Sequence, residues 1–335
     1  ASNNTAIGYG SLDANTTGAD NSALGFSSLS ANTTGGQNVA VGRSALGLNT
    51  TAGGNVAVGY NALDENTTGD LNTAIGTNAL GSNVVGDRAV AVGYNALQAQ
   101  APVSNVDTYN VAIGLNSQFS TTTGVNNTAV GGSSLDQNTT GSSNVAIGKD
   151  ALGANTTAAN NTAVGYASLT ANTTGTLNTA VGHSSASALT TGTQNTVVGG
   201  NAGAITTGGN NTCLGIFTSG GALSTGDNNT GVGYASQFEI TSGSNNTAIG
   251  MDSMRGTSPS GSITTQSNLV CVGNNNVSAA YIKVAWTVTS DARDKTDFTP
   301  LDLGLDFVKA LQPITYKWDM RSNYGDTTAD DYDLN

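Results

Sequence analysis

One glycine, returning every 17 residues, constrains this chain more than any other feature. It stands at Gly8, Gly25, Gly42, Gly59, Gly76, Gly93, Gly114, Gly131, Gly148, Gly165, Gly182, Gly199, Gly215, Gly233, Gly250 and Gly273. Departures from the step are 21 residues from Gly93 to Gly114, 16 and then 18 around Gly215, and 23 from Gly250 to Gly273. A fixed short period specifies stacked supersecondary units, each packing only on its neighbours, rather than a globular topology. The 335 residues therefore measure a rod.

Aligned on that glycine, each column has one job. The residue before it is always aliphatic, from Ile7, Leu24 and Val41 through to Val272, and two positions earlier comes Thr, Val or Ser. Between them sits a small residue, Ala6, Ala23, Ala40 and onward. This is period-2 alternation, hence a short strand with one bulky and one small face. The bulky face is expected to fill the interior of the coil. The small one, with the glycines, is expected to form a flat face on which another copy settles, and closed symmetry makes a trimer the simplest prism.

Four residues after the glycine comes a leucine anchor, at Leu12, Leu29, Leu46, Leu63, Leu80, Leu97, Leu135, Leu152 and Leu169. Asn-Thr-Thr-Gly follows it at residues 15–18, 32–35, 66–69 and 172–175, and such residues tolerate the left-handed backbone of a tight corner. One unit thus reads as strand, bend, short second strand and corner. An asparagine four residues before the glycine recurs in fourteen of sixteen units, failing at Ala89 and Leu269, and is expected to form an amide ladder along the axis. The fold predicted is all-β: a parallel β-solenoid of about 16 rungs, roughly 75 Å long at about 4.8 Å per rung.

Composition narrows the function. With 45 glycines, 5% aromatic and 10% charged residues, an ordinary large core is not expected. The net charge of -12 argues against nucleic acid and anionic membrane surfaces as partners, since both need a basic footprint. No apolar run approaches a bilayer span. The array begins in mid-phase, from which a fragment of a longer polypeptide is expected. Cys213 and Cys271 both replace the small strand residue, three units apart, roughly 14 Å and too far for a disulfide within one chain. They read as small buried residues. His183, the only histidine, occupies the outward slot after the glycine that elsewhere holds Tyr9, Tyr60, Tyr94, Tyr166 and Tyr234. Nothing indicates a metal site or a cofactor. Asp13, Asp64, Glu65 and Asp136 fall at corners and read as solvated, and the repeated Asn-x-Thr triplets read as turns. The insertion at residues 99–107, carrying Pro102, reads as a surface loop.

After Gly273 the pattern breaks. Residues 281–288 alternate as a strand, a helix is predicted over 303–311 ahead of Pro313, and 314–318 reads as another strand. The predicted organisation is a solenoid shaft over 1–273, a connecting strand over 274–289, and a small α+β segment over 290–335.

The Asn-Thr-Ala-Val-Gly-Tyr units, best seen at residues 161–169, resemble the head repeats of trimeric autotransporter adhesins and the shaft repeats of phage tail fibres. That resemblance covers about 270 residues and implies a left-handed β-roll in a homotrimer. Ser-Asp-Ala-Arg-x-Lys at residues 290–295, followed by Gly-Leu-Asp-Phe-Val-Lys-Ala-Leu-Gln-Pro-Ile-Thr-Tyr-Lys-Trp at 304–318, resembles the opening of the chaperone-of-endosialidase family. The resemblance implies an intramolecular chaperone that assembles the trimer and then cuts itself off between Thr289 and Ser290, with Ser290 and Lys295 as the catalytic dyad. The function expected is a structural fibre displayed on a virion tail, binding a host cell-surface glycan or protein receptor and other tail proteins. The alternative is a bacterial surface adhesin or filament.

Overall fold

The computed structural model describes residues 2–219 and 225–281. Among them lie sixteen strands of three residues, from Thr5–Ile7 to Val270–Val272, in one parallel sheet whose spatial order is the sequence order. Register is exact from rung to rung: Ala40 faces Ala57 and Val41 faces Val58, and the same columns pair even across the long step from Val90–Val92 to Val111–Ile113. The chain is a β-solenoid, and the sixteen rungs and the period match the sequence reading.

The inside of each rung differs from that reading. The strand's small residue points inward: Ala40, Ala57, Ala74, Ala91, Ala112 and Ala129 are fully buried. The aliphatic residue before the glycine points outward, with Ile75, Ile113 and Ile147 each 40% exposed. Volume decides this. The interior is a thin slot already filled by the leucine anchors, all buried from Leu29 to Leu169, and facing alanines leave room for one branched side chain per rung. The flat face expected from the alanine column is therefore inside the coil.

The expected second strand is also absent among the described residues. From the glycine to the corner the chain is a run of turns with left-handed backbone at the second and fourth residues, as at Asn61 (φ 52°) and Leu63 (φ 52°). Placing leucine there is sterically costly, and burial offsets it. Backbone bonds still join rung to rung, Leu46 N–H donating to the Ala62 carbonyl at 3.0 Å and Leu63 N–H to the Ala79 carbonyl at 2.9 Å.

Two asparagine columns tie the rungs. The one before the strand is buried; Asn38 donates its side-chain amide to the Ala52 carbonyl at the corner (2.8 Å) and accepts the Asn55 backbone N–H (2.9 Å). It therefore works mainly through the backbone. The amide-to-amide ladder runs chiefly at the corner, where Asn32, Asn49 and Asn66 each donate to the preceding asparagine at 3.0, 2.8 and 3.1 Å. Beside it the first corner threonine donates to the next rung's carbonyl, as Thr33 does to Thr50 (3.0 Å).

Beyond Leu169, where the leucine anchor is lost, the described corner positions become apolar. Ala186 is followed by Leu189, Gln237 by Ile240, and Met254 is joined by Ile263, all buried. In the Gly199 rung the anchor is Gly203, and Val197 replaces the usual strand alanine, its methyls filling the space a Cβ at Gly203 would need. The interior volume is conserved while the residue supplying it moves.

Candidate interaction surface

The strand's outward face carries two columns. One is Thr, Val or, at Ser22, Ser; the other is the aliphatic residue before the glycine, from Ile7 (59% exposed) to Val272 (58%). Together they make a strip roughly 75 Å long by 7 Å wide, several hundred Å², at the upper end of what a monomeric protein leaves open. Parallel sheets are ordinarily covered on both faces. Here one face is covered by the chain's own leucines and the other by nothing among the described residues.

A third outward column follows the glycine. Tyr9 stacks on Phe26 with ring centroids 5.5 Å apart, and the Arg43 guanidinium lies between Phe26 and Tyr60, at 5.6 and 5.8 Å from their centroids. Lys149 sits 5.6 Å from the Tyr166 ring, which stacks on His183 at 5.2 Å. His183 is exposed, as its column implies. These rings face one another along the axis, so they stiffen the strip's border rather than present open ring faces to a ligand.

The remaining candidates are structural in their surroundings. Cys213 and Cys271 are free and buried in the alanine column. Burial pushes the Cys213 thiol up to about 11, away from the reactive thiolate. Asp64 and Asp136 are less solvated than their corner positions suggested: partial burial first, then Glu65 and Asp150 respectively, hold both carboxyls above their usual range. A shallow polar cavity of about 110 Å³ lies beside Asp64, between Asn61, Asn78 and Gln98. The corner asparagines of the Asn-x-Thr triplets, such as Asn32 and Asn172, are buried with their amides committed, which agrees with reading them as turns.

The insertion at 99–107 is anchored at its base. Thr108 donates its hydroxyl to the Asp87 carbonyl at 2.9 Å, Tyr109 donates to Asp107 at 2.9 Å, and Arg88 pairs with Asp107. Its tip exposes Val103 almost completely, at 95%.

Ser290 and Lys295 lie outside the described residues, as do the strand, helix and strand expected after residue 281. Residues 290–332 match the family described as chaperone of endosialidase. Comparison with curated proteins and with solved structures returned no match. A β-solenoid joined to a chaperone-of-endosialidase segment fits a tailspike-like structural protein.

Proposed function

We propose that this chain is the shaft of a tail fibre or tailspike, assembled as a homotrimer on the outside of a virion, where it presents a rigid rod to a host-surface glycan or protein receptor and joins other tail proteins. The observation that carries the reading is the uncovered aliphatic face, which runs the whole length of the sheet. Three copies packed by these faces about a common axis would bury the Ile and Val columns together and give the sheet its second cover. The match of residues 290–332 to a chaperone family supports the same reading, because a periodic rod whose rungs are alike gains from a separate element that brings its copies together. Sedimentation at micromolar concentration tests it. A three-chain particle is expected, and a single chain would overturn the packing.

In this reading the C-terminal segment releases the shaft by one cut in cis. The Ser290 hydroxyl attacks the carbonyl carbon of Thr289 while Lys295, in its neutral form, takes the hydroxyl proton. The peptide C–N bond breaks to leave an ester and a free amine at Ser290, and water then opens the ester. The cut is expected to quicken as pH rises, since the base acts unprotonated. Intact mass under denaturing conditions checks it: a chain ending at Thr289 for the native sequence, and an uncut one for Ser290→Ala.

A further inference from the structure

Every rung whose two interior positions are both described holds at least one apolar side chain large enough to fill the slot, or compensates as Val197 does, with one exception. In the Gly114 rung the anchor is Gln118 and the corner residue is Thr121, both fully buried. Gln118 lies between Leu97 and Leu135 in the anchor column; its amide donates to the Val111 carbonyl (2.8 Å) and the Asn127 carbonyl (3.3 Å), and its Oε1 has no hydrogen-bond partner. The equivalent Gln237 directs its amide to the same two carbonyls, of Thr230 (3.0 Å) and Asn246 (3.2 Å), but differs at its oxygen and at the corner. Its Oε1 accepts from Ser219 at 3.2 Å, and Ile240 restores the apolar filling.

Three further ties between rungs are interrupted around the Gly114 rung. The buried apolar residues form two clusters, one running from Ala23 to Ala112 and the other from Ala129 to Cys271. The chain of asparagines accepting the next rung's backbone ends where Asn72 accepts from Ala89, and restarts where Asn110 accepts from Asn127. The corner ladder also lapses: Gln100 donates to Asn83 Oδ1 (3.3 Å) and Asn138 to Thr121 Oγ1 (3.3 Å), but no side-chain bond joins Thr121 to Gln100. The longest insertion among the regular rungs, 99–107, enters here too. The backbone stays bonded across the joint, through the strand pairing of Val90–Val92 with Val111–Ile113 and through Asn116 N–H to the Tyr94 carbonyl (3.0 Å), Leu97 N–H to the Ser117 carbonyl (3.0 Å) and Ala99 N–H to the Phe119 carbonyl (3.1 Å), and an outer strap is made by Thr108 with Asp87 and by Arg88 with Asp107.

We propose that the rod is two cooperative blocks joined at Gln118, with the 99–107 insertion strapped across the joint, so that one block can open or flex while the other stays folded. In a stacked repeat, cooperativity passes only through nearest-neighbour interfaces, and one weakened interface decouples the two sides. The inference stands on the interior packing and does not depend on the oligomer or on a receptor.

Native-state hydrogen exchange read by mass spectrometry on the whole protein tests it. Amides of Val39–Val41 to Val90–Val92 and those of Thr128–Val130 to Thr179–Val181 are expected to fall into two groups, differing roughly tenfold or more in protection, with the boundary at Gln118. Gln118→Leu, a residue the same left-handed position accepts in nine other rungs, should bring the groups together. Leu152→Gln should create a second boundary two rungs further on, within the second block. A single shared protection in the native chain, or two groups that Gln118→Leu leaves apart, would overturn the proposal.

Discussion

Replacing Gly165 by alanine is expected to destabilise the rod by about 3–5 kcal/mol, as large an effect as a single methyl group commonly has. Two independent causes combine. Gly165 has φ +136°, a conformation L residues rarely adopt, and a Cβ there would stand 2.4 Å from the Gly182 carbonyl oxygen and 2.6 Å from its carbonyl carbon. The obstacle is the backbone of the next rung, which moves only if the rung spacing changes, and that spacing is fixed by every ladder in the stack. The same geometry recurs from Gly8 to Gly233, which is why the glycine is the invariant of the period. Gly132, whose Cβ would meet nothing within 4 Å, is the control: Gly132→Ala should fall within about 0.5 kcal/mol of the native chain. Urea unfolding of the two variants checks the pair, and a cost for Gly165→Ala below about 1 kcal/mol would contradict the rung-to-rung contact.

The period, the corners, the leucine anchor and the strand were all legible, because each is a local demand that one residue type meets. Which face of the strand lies inside was not. Alternation at residues 39–41 states that Val39 and Val41 share a side and Ala40 takes the other, and a hydrophobicity argument alone puts valine inside. The answer depends on how much volume Leu46, five positions along the chain, has already claimed. The missing second strand has a similar origin: nothing about Leu46 or Leu63 announces a left-handed backbone, which leucine disfavours and only the finished core makes worthwhile. Residues such as Leu189 and Ile240 look like irregularities in a repeat and become intelligible as replacements once Ala186 and Gln237 are seen beside them. Of the proposed site, Ser290 and Lys295 came from the motif at 290–295, and the interaction face could be found only after the strand's polarity was known.

That polarity makes the face open to a direct test. Val130, Ile147 and Val164 stand in three successive rungs of the outward column, and their carbonyls and amides, not their side chains, hold the sheet together. Changing all three to glutamate should therefore leave the solenoid folded, with an unchanged β-sheet circular dichroism signal. In the trimer proposed here, each chain would carry three carboxylates into an apolar contact with no cation in that column to meet them. Even a few kcal/mol per buried charge, after relaxation and partial hydration, lowers the association constant by about 10³-fold or more. Sedimentation should then show single chains at concentrations where the native protein is assembled. The corner triple Thr140→Glu, Thr157→Glu and Thr174→Glu adds the same charge at exposed positions off the strand and should stay assembled. If the outward triple also stayed assembled, the aliphatic face would not be the one its copies share, and the cover of the sheet would have to come from a different partner; if both triples fell apart, net charge rather than the face would be the cause.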